Sequence, residues 1–289
     1  MGPTIDIVRH AEAFHNIMGS GVRDPSLTPQ GKVQCQNLAL EFPYKDRVAH
    51  VVASPMRRTI ETAILGFGAV LATGKKITPL PELQEVNSSP SSTGSPAGTL
   101  RAEYGDSVGL ARLDNDWYLK GSNTEFAPDP AKVEARARRA RVWLRELART
   151  VAADAHIVVV THGEFVHWLT DDFAGVSMRF NTGWYNAEFR SYEFASLDGD
   201  DTEAALFETA TSREKRGRAS RLQSRSNNAE LKNVAALRVR EHAVIAEELE
   251  WEDVQSDAEL GRAMGIGSKI IVIKAAEGAF RRGYAFPDS

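Results

Sequence analysis

The sequence predicts an α/β fold in which a mostly parallel central sheet has helices on both of its faces. Short runs of apolar and β-branched residues alternate along the chain with longer segments of helical periodicity. One run, HIVVVTH at residues 156–162, is almost continuously apolar, which is typical of a strand buried on both faces. An alternation of strands and helices of these lengths predicts a sheet covered by helices.

The N-terminal part of the chain is expected to form a strand, a helix, a strand, a helix and a possible third strand. These segments are, in order, residues 4–9, 27–42, 49–54, 56–72 and 76–80. The strands are rich in β-branched residues, and the second helical segment has apolar residues at helical spacing. Thr28 and Pro29 suit the N-cap and the first position of the first helix, so they mark its start.

The next part of the chain loses this regularity and then regains it. Residues 86–130 begin with a stretch rich in Ser, Pro and Gly and show no clear periodicity afterwards, so we expect a loop-rich insertion. A long helix is predicted over residues 131–150, followed by the buried strand. A further helix is expected to start near Gly163, and residues 187–197 are predicted to hold the last strand.

The character of the sequence changes near Arg213. Residues 213–225 are strongly basic, helical composition follows them, and residues 268–275 (SKIIVIKA) have the composition of a strand. We therefore divide the chain into an α/β domain at residues 1–212 and an atypical extension at residues 213–289. The basic stretch is interpreted as a solvated helix face or a linker, because acidic residues that compensate it follow.

The composition argues against several classes of function. A net charge of −4 does not suit a nucleic-acid-binding protein. The single cysteine, Cys35, excludes an internal disulfide framework and a cysteine-based zinc site. No apolar run is long enough to cross a membrane, and no N-terminal stretch has the pattern of a signal peptide. We expect a cytoplasmic protein without membrane contacts, whose oligomeric state the sequence leaves open.

Cationic and imidazole side chains follow three of the predicted strands. Arg9 and His10 end the first strand, Arg58 comes shortly after the second, and His162 ends the buried strand. Ligands of open α/β sheets bind beyond the carboxyl ends of the strands, so these groups converge if the three strands are neighbours. A cluster of like charges is unfavourable by itself and becomes favourable around a dianion.

These residue types point to phosphoryl transfer. The guanidinium group of arginine matches phosphate oxygens two at a time. A neutral imidazole can attack phosphorus through one ring nitrogen. One histidine would therefore be the nucleophile, the second a hydrogen-bond donor, and the arginines would balance the negative charge.

The segment VRHAEAFHN at residues 8–16 resembles the RHG signature of the histidine phosphatase superfamily, which includes the cofactor-dependent phosphoglycerate mutases. Further motifs of that family follow in its order: D-x-x-LT-x-x-G at residues 24–31, a serine, an arginine and a TA pair within residues 54–63, L-x-E at residues 83–85, and THG at residues 161–163. One motif alone is a weak signal, whereas the ordered set over residues 4–195 is specific. The resemblance implies a phosphoglycerate mutase-like fold.

The resemblance also implies a role for each matching residue. His10 would form a phosphohistidine, with its other ring nitrogen held by a backbone carbonyl, and Glu85 would protonate the leaving group and then deprotonate water. The residues implied in binding the phosphoryl group are Arg9, Asn16, Arg58, His162 and Gly163. Neither a metal ion nor another cofactor is implied, because the arginines supply the positive charge that Mg²⁺ supplies elsewhere.

The chain departs from the family pattern at two places. Ala11 stands where the signature has glycine, which is tolerable if its φ is negative. The glycine-containing segment with which the mutases close on substrate is replaced by VNSSPSSTGSP at residues 86–96, which is closer to fungal and broad-specificity phosphatase-like members. We therefore expect a phosphatase that acts on a small phosphorylated metabolite. A phosphomutase, a member recruited to a biosynthetic step and a non-catalytic binding protein stay open.

Several residues close to the motifs are interpreted as structural. Arg57 is expected at the surface or in a salt bridge, His167 in packing, and Cys35 as a small buried group. Glu164 has no role assigned to its side chain, but its backbone N–H could reach a phosphate oxygen at a helix start. His15 could line the mouth of the site or be a local structural group. The aromatic residues of the insertion, which could contact substrate or only anchor the loop, are Tyr104, Trp117 and Tyr118.

Overall fold

A mixed β-sheet forms the centre of the molecule. The structure is a computed structural model, and it describes residues 2–110, 113–178, 182–217 and 225–248. The strands are β1 Thr4–Arg9, β2 Val48–Ala53, β3 Ile77–Pro79, β4 His156–Thr161, β5 Phe189–Phe194 and β6 Leu206–Glu208. They lie side by side in the order β3-β2-β4-β1-β5-β6. Neighbouring strands from β3 to β1 are parallel. Strand β5 is antiparallel to β1, and β6 is antiparallel to β5. The predicted, mostly parallel sheet is therefore confirmed.

The edge strand β6 is absent from the sequence-based prediction. It has only three residues, which is too short for the alternation of a strand to stand out from the sequence. It pairs with β5 in antiparallel register. The expectation that the strand within residues 187–197 is the last of the sheet is wrong for this reason.

The helices surround this sheet. They are α1 Phe14–Met18, α2 Pro29–Glu41, α3 Arg57–Gly66, α4 Gly68–Leu71, α5 Ala97–Tyr104, α6 Pro130–Ala148, α7 Phe165–Thr170, α8 Ala210–Lys215 and α9 Arg225–Glu248. The predicted N-cap is confirmed, because the hydroxyl of Thr28 accepts a hydrogen bond from the backbone N–H of Gly31 at 2.9 Å. The single helix predicted over residues 56–72 is instead α3 and α4, which are broken at Phe67 between two glycines.

Each face of the sheet packs into its own hydrophobic cluster. On one face, Ile5 and Ile7 of β1 share a cluster with residues of α6, α7 and α9. On the other face, Val8 of β1 and Val158 of β4 share a cluster with residues of α2 and α3. Every residue of β4 is buried, as expected of a strand with helices on both sides. This layering leaves the carboxyl ends of β1, β2 and β4 along one edge of the sheet.

The insertion at residues 86–130 contains a helix, α5, which the sequence does not predict. Only Ala97 and Leu100 of α5 are buried, so its apolar periodicity is weak. Trp117 is buried and its indole N–H donates to the carbonyl oxygen of Ser95 at 3.1 Å. The hydrogen bond joins two parts of the insertion, and the burial of Ala97, Leu100 and Trp117 in the cluster with Val8 and Val158 anchors it to the domain.

The extension contributes α9 to the hydrophobic core. Ala235 and Val239 of α9 are buried within the cluster that covers one face of the sheet. The division at residues 212 and 213 stays a prediction, and α8 (Ala210–Lys215) runs across it. The strand predicted at residues 268–275 lies outside the described residues. Among those described, no helix combines the length and the apolar character needed to cross a membrane.

Candidate active site

The side chains predicted to form the site come from neighbouring strands. Because β4 lies between β2 and β1, the residues that follow these strands share one edge of the sheet. The ring centroids of His10 and His162 are 5.3 Å apart. The Nη2 atom of Arg58 lies 2.9 Å from Nδ1 of His162. The expected convergence of these groups therefore occurs.

His10 is held by its backbone and by one ring nitrogen. Its backbone N–H donates to Thr161 at 2.9 Å, and its carbonyl oxygen accepts from the side chain of Asn186 at 3.0 Å. Its Nδ1 atom lies 2.8 Å from the carbonyl oxygen of Ala11, to which it can only donate. The proton is therefore on Nδ1, which leaves Nε2 with its lone pair. No protein partner of Nε2 is found among the described residues. Ala11 has a negative φ, so its methyl group causes no strain.

The environment of His10 keeps its ring neutral. The side chain is 2% exposed, and burial lowers its pKa well below the usual value of 6.5. The cationic groups of Arg58 and Arg9 lower this pKa further, and so does His15. The pKa of His162 is also well below 6.5, through burial first and then the charge of Arg58. Both rings are thus in the form that can act as a nucleophile or a neutral hydrogen-bonding group.

Arg58 lies at the start of α3 and is 1% exposed. Its Nη1 atom donates to the carbonyl oxygen of Ser91 at 2.6 Å, and its Nη2 atom donates to His162. The proton of His162 is therefore on Nε2, which donates to the hydroxyl of Ser54 at 2.9 Å. Burial lowers the pKa of Arg58 to about 10, so the group stays charged at neutral pH. The Nε atom of Arg58 is buried without a hydrogen-bond partner among the described residues.

Arg9 is fixed on the other side of His10. Its Nη1 atom donates to the carbonyl oxygen of Trp184 and lies 3.4 Å from the hydroxyl of Thr182. Its Nε atom, like that of Arg58, is buried and unpartnered within the described part of the chain. A Cβ atom at Gly163 would lie 2.9 Å from this Nε, so glycine leaves the room that the guanidinium group needs.

The side chain of Glu85 lies against the start of α7, where it is buried and 9% exposed. Its Oε1 atom accepts from the backbone N–H of Val86 at 2.9 Å and of Phe165 at 3.1 Å. Its Oε2 atom lies 3.4 Å from the backbone N of Glu164. The N–H of Glu164, expected to reach a phosphate oxygen, is therefore directed at this carboxylate instead.

Two residues that sequence reasoning missed hold the chain around Glu85. Lys120 donates to the carbonyl oxygens of Glu85 at 2.7 Å and Asn87 at 2.9 Å, and burial lowers its pKa well below 10.5. Arg136 donates to the carbonyl oxygen of Gln84 at 2.6 Å. The sequence pattern could have identified Arg136, because it is a charged residue on the apolar side of the predicted helix. No sequence pattern identifies Lys120, since it lies in a stretch without periodicity.

The motif at residues 24–31 has a structural role next to the site. Asp24 is fully buried, and its carboxylate accepts from the backbone N–H of Arg57, the first residue of α3, at 3.0 Å. It thereby caps the helix that carries Arg58. A Cβ atom at Gly31 would lie 2.0 Å from the carbonyl oxygen of Glu12, so glycine permits α2 to pack against the loop after β1.

Asn16 and His15 lie on the short helix α1. Asn16 is exposed, and its Oδ1 atom accepts from the backbone N–H of Ala13 at 2.9 Å, which caps its own helix. The ring of His15 lies 5.4 Å from the ring of His10, centroid to centroid. Burial and the arginines lower the pKa of His15 to about 2. The structure thus places the ring of His15 beside that of His10 and gives Asn16 a contact at the start of α1.

The interpretations of Arg57, His167 and Cys35 are confirmed, whereas the aromatic residues of the insertion stay open between substrate contact and anchoring. Arg57 forms an ion pair with Glu103, with Nε 2.8 Å from Oε2. His167 and Cys35 are buried away from solvent. Tyr104 donates its hydroxyl proton to Glu61 at 3.1 Å, which anchors α5 to α3.

Comparisons with known proteins identify a family. Residues 5–200 match the sequence profile of the histidine phosphatase superfamily (branch 1). A phosphoglycerate mutase-like protein from Arabidopsis thaliana is 28% identical over 216 residues, which cover 59% of this chain and 74% of that protein. The family match ends before β6, α8 and α9.

Solved structures with a similar fold include phosphatases and mutases. One is a mycobacterial glucosyl-3-phosphoglycerate phosphatase in complex with VO3, with 20% identity, a TM-score of 0.45, and coverage of 71% of this chain and 97% of that one. Another is the phosphoglycerate mutase of Bacillus anthracis str. Sterne, with 18% identity, a TM-score of 0.45, and coverage of 72% and 91%.

Proposed function

The chain belongs to the histidine phosphatase superfamily, and within it we propose that this protein is a phosphatase that hydrolyses a small phosphomonoester through a phosphohistidine on His10. One observation carries the proposal. The buried Nε atoms of Arg9 and Arg58 lack partners within the described residues, and they flank a neutral histidine whose Nε2 is also unpartnered. Buried polar groups are normally satisfied, so unpaired donors beside a nucleophile indicate a site for an anion.

The reaction proceeds in two displacements at phosphorus. In the first, the lone pair of His10 Nε2 forms the N–P bond while the bond from phosphorus to the leaving oxygen breaks. Glu85 gives its proton to that oxygen, and the alcohol leaves. Arg9 and Arg58 neutralise the charge on the equatorial oxygens.

The second displacement regenerates the enzyme. Glu85, now a carboxylate, takes a proton from water as the water oxygen attacks phosphorus. The N–P bond breaks, its electron pair returns to Nε2 of His10, and inorganic phosphate leaves. The positive charge on the phosphohistidine ring is stabilised by the hydrogen bond from Nδ1 to the carbonyl oxygen of Ala11, which is 2.8 Å long.

The depth of the site supports a small substrate. His10 is 2% exposed and Arg58 is 1% exposed, so the phosphoryl group must enter a recess in the protein surface. We propose a small phosphorylated metabolite as substrate. A panel of sugar phosphates, phosphoglycerates, phospholipids and phosphopeptides tests this, and turnover confined to the phospholipids or phosphopeptides would overturn it.

Hydrolysis of p-nitrophenyl phosphate by wild type and by His10→Ala tests the nucleophile. We expect the variant to lose at least about three orders of magnitude in kcat/KM, because it has no atom that can form the phosphoryl intermediate. His50→Ala is the matched control, since His50 lies on β2 away from the site. Equal rates for wild type and His10→Ala would refute the proposal. A phosphoenzyme that resists water long enough for product exchange would indicate a mutase instead.

A further inference from the structure

Helix α9 contacts the start of α7, where the proposed catalytic acid is bound. Arg238 of α9 has a side chain that is only 4% exposed and forms an ion pair with the carboxylate of Glu164. Its Nη1 atom also donates to the carbonyl oxygen of Ser177 at 3.2 Å. The flanking residues Ala235 and Val239 anchor this part of α9 in the core. Arg238 is therefore held at a defined place.

Glu164 connects Arg238 to Glu85. The side chain of Glu164 pairs with Arg238, and its backbone N lies 3.4 Å from Oε2 of Glu85. The next N–H, of Phe165, donates to the other oxygen of Glu85 at 3.1 Å. The N-cap residue of α7 is Glu164, and its side chain does not cap the helix. The carboxylate of Glu85 is therefore the acceptor for the first N–H groups of α7. Two contacts thus join the extension to the catalytic acid.

The charges around Glu164 make this link specific. Glu85 faces it from the segment after Leu83, Arg9 from β1 and Arg238 from α9. From α6, Arg136 lies over the ring of Phe165. Burial and the neighbouring carboxylate of Glu85 raise the pKa of Glu164 to about 7, and the two arginines Arg238 and Arg9 oppose that rise.

We propose that Arg238 is a positioning residue for the proposed catalytic acid, and that it acts through its ion pair with Glu164, which orients the start of α7 and the Glu85 carboxylate bound there. The inference rests on the proposed function of His10 and Glu85. It makes the docking of α9 a condition for efficient protonation of the leaving group.

The test is Arg238→Met, which keeps the apolar stem of the side chain and removes its charge. A misplaced acid slows substrates with basic leaving groups most, because these leave only when protonated. We expect kcat/KM for glycerol 2-phosphate to fall at least about 10-fold, while kcat/KM for p-nitrophenyl phosphate falls less than about 2-fold, because kcat/KM reports the first displacement and not the later attack of water. Arg238→Lys should recover part of the loss. A uniform fall on both substrates would contradict the proposal.

Arg216→Met is the matched control. Arg216 pairs with Glu208 in another largely buried ion pair, which joins α8 to the edge strand β6. This variant is expected to lose stability without any change in the ratio of the two rates. Should Arg238→Met not fold, Glu164→Gln is compared instead, since it removes the partner of Arg238 and keeps the backbone N–H of residue 164. An unchanged ratio in that variant would equally overturn the proposal.

A second measurement separates this inference from the proposed function. In protein labelled with ¹³C at glutamate carboxyl carbons, the titration of Glu164 is followed by NMR without turnover. Arg238→Met should move its midpoint above about 7, because a cation that stabilises the carboxylate is gone. An unmoved midpoint refutes the link even if hydrolysis is observed. A wild-type protein without phosphatase activity refutes the proposed function, while a moved midpoint still supports the ion-pair link.

Discussion

His10 lies beside two guanidinium groups and is almost completely buried. A proton on its Nε2 would add a third positive charge there, so burial and the arginines hold its pKa well below 6.5. The same environment would suit a phosphoryl dianion, as the proposed function requires, because a dianion neutralises the charges that make protonation unfavourable. Under the proposed function, a single arrangement thus keeps His10 in its nucleophilic form and favours a dianionic substrate.

We predict that His10 stays neutral in the free protein at pH values just below 6.5, where an ordinary histidine becomes protonated, and that its proton is on Nδ1. Long-range ¹H–¹⁵N spectra report both the tautomer and the charge of each imidazole ring. The appearance of a protonated His10 ring near pH 6 would contradict the prediction. The ring of His156 is hydrogen-bonded to the carboxylate of Asp6. Because this environment differs from that of His10, the signal of His156 is a useful reference.

The histidines also predict how stability depends on pH. Histidines of the unfolded chain bind protons below about pH 6.5, whereas His10, His162 and His167 have lowered pKa values in the folded protein. The unfolding free energy should therefore fall as the pH drops below about 6.5, by up to about 1.4 kcal/mol per pH unit for each such histidine. Urea denaturation at pH 7.0 and 5.5 measures this, and greater stability at pH 5.5 would refute it.

At the scale of single residues, the sequence predicted the residues that belong to a motif. It missed those whose contacts join positions far apart in the chain. Arg9, His10, Arg58 and His162 could be found because each follows a recognisable strand or helix start. Lys120 donates to residues more than thirty positions earlier, and nothing local marks such a contact. These donors can be placed only when the path of the insertion is known.

Among the elements, the insertion has the greatest influence on the shape of the site. It carries Ser91, whose carbonyl oxygen binds Arg58, and Lys120, which holds the backbone of Glu85. Trp117 packs against Gly94 and joins two parts of the insertion that are separated by 23 positions (117 − 94). The helix α5 within it was missed because its packing depends on few buried side chains, whereas β4 was predicted because all of its residues are buried.

We predict that Gly94→Ala destabilises the insertion and lowers activity. A Cβ atom at residue 94 would lie 2.1 Å from the ring of Trp117, which is fixed by burial and by its hydrogen bond to Ser95. Overpacking of this kind costs about 1–3 kcal/mol. Gly98→Ala is the matched control: no atom lies within 4 Å of its added Cβ, and alanine favours α5. Thermal unfolding distinguishes them, and equal Tm values would refute the packing argument.

Across the whole molecule, the family domain and the extension share one core. Ala235 and Val239 of α9 lie in the same cluster as Trp168 and Val176 of the region around α7. The change of composition near Arg213 predicts a different kind of segment, and the division there stays a prediction. The composition could not indicate this packing, because two apolar residues change the mean polarity of a long helix very little.

Removal of residues 226–289 is therefore expected to reduce both stability and activity. The truncated protein exposes Trp168 and Val176 and loses Arg238, so the unfolding free energy should fall by at least about 2 kcal/mol. Urea denaturation and hydrolysis of glycerol 2-phosphate measure the two effects. A truncation after residue 248 keeps the described contacts of α9 and serves as the control. Unchanged activity and stability without residues 226–289 would show that the extension is a dispensable appendage.

The position of Arg238 along the chain also sets an order of events during synthesis. The family match ends at residue 200, so the arginine is made 38 residues later (238 − 200). At about 5–20 residues per second, residue 238 follows residue 200 by roughly 2–8 seconds, and by residue 200 the proposed nucleophile, both arginines and the proposed acid have all been joined into the chain. Under the proposal for Arg238, a nascent domain can thus assemble the cluster around His10 before the Glu85 carboxylate is held in place, and efficient protonation of the leaving group begins only once α9 has docked.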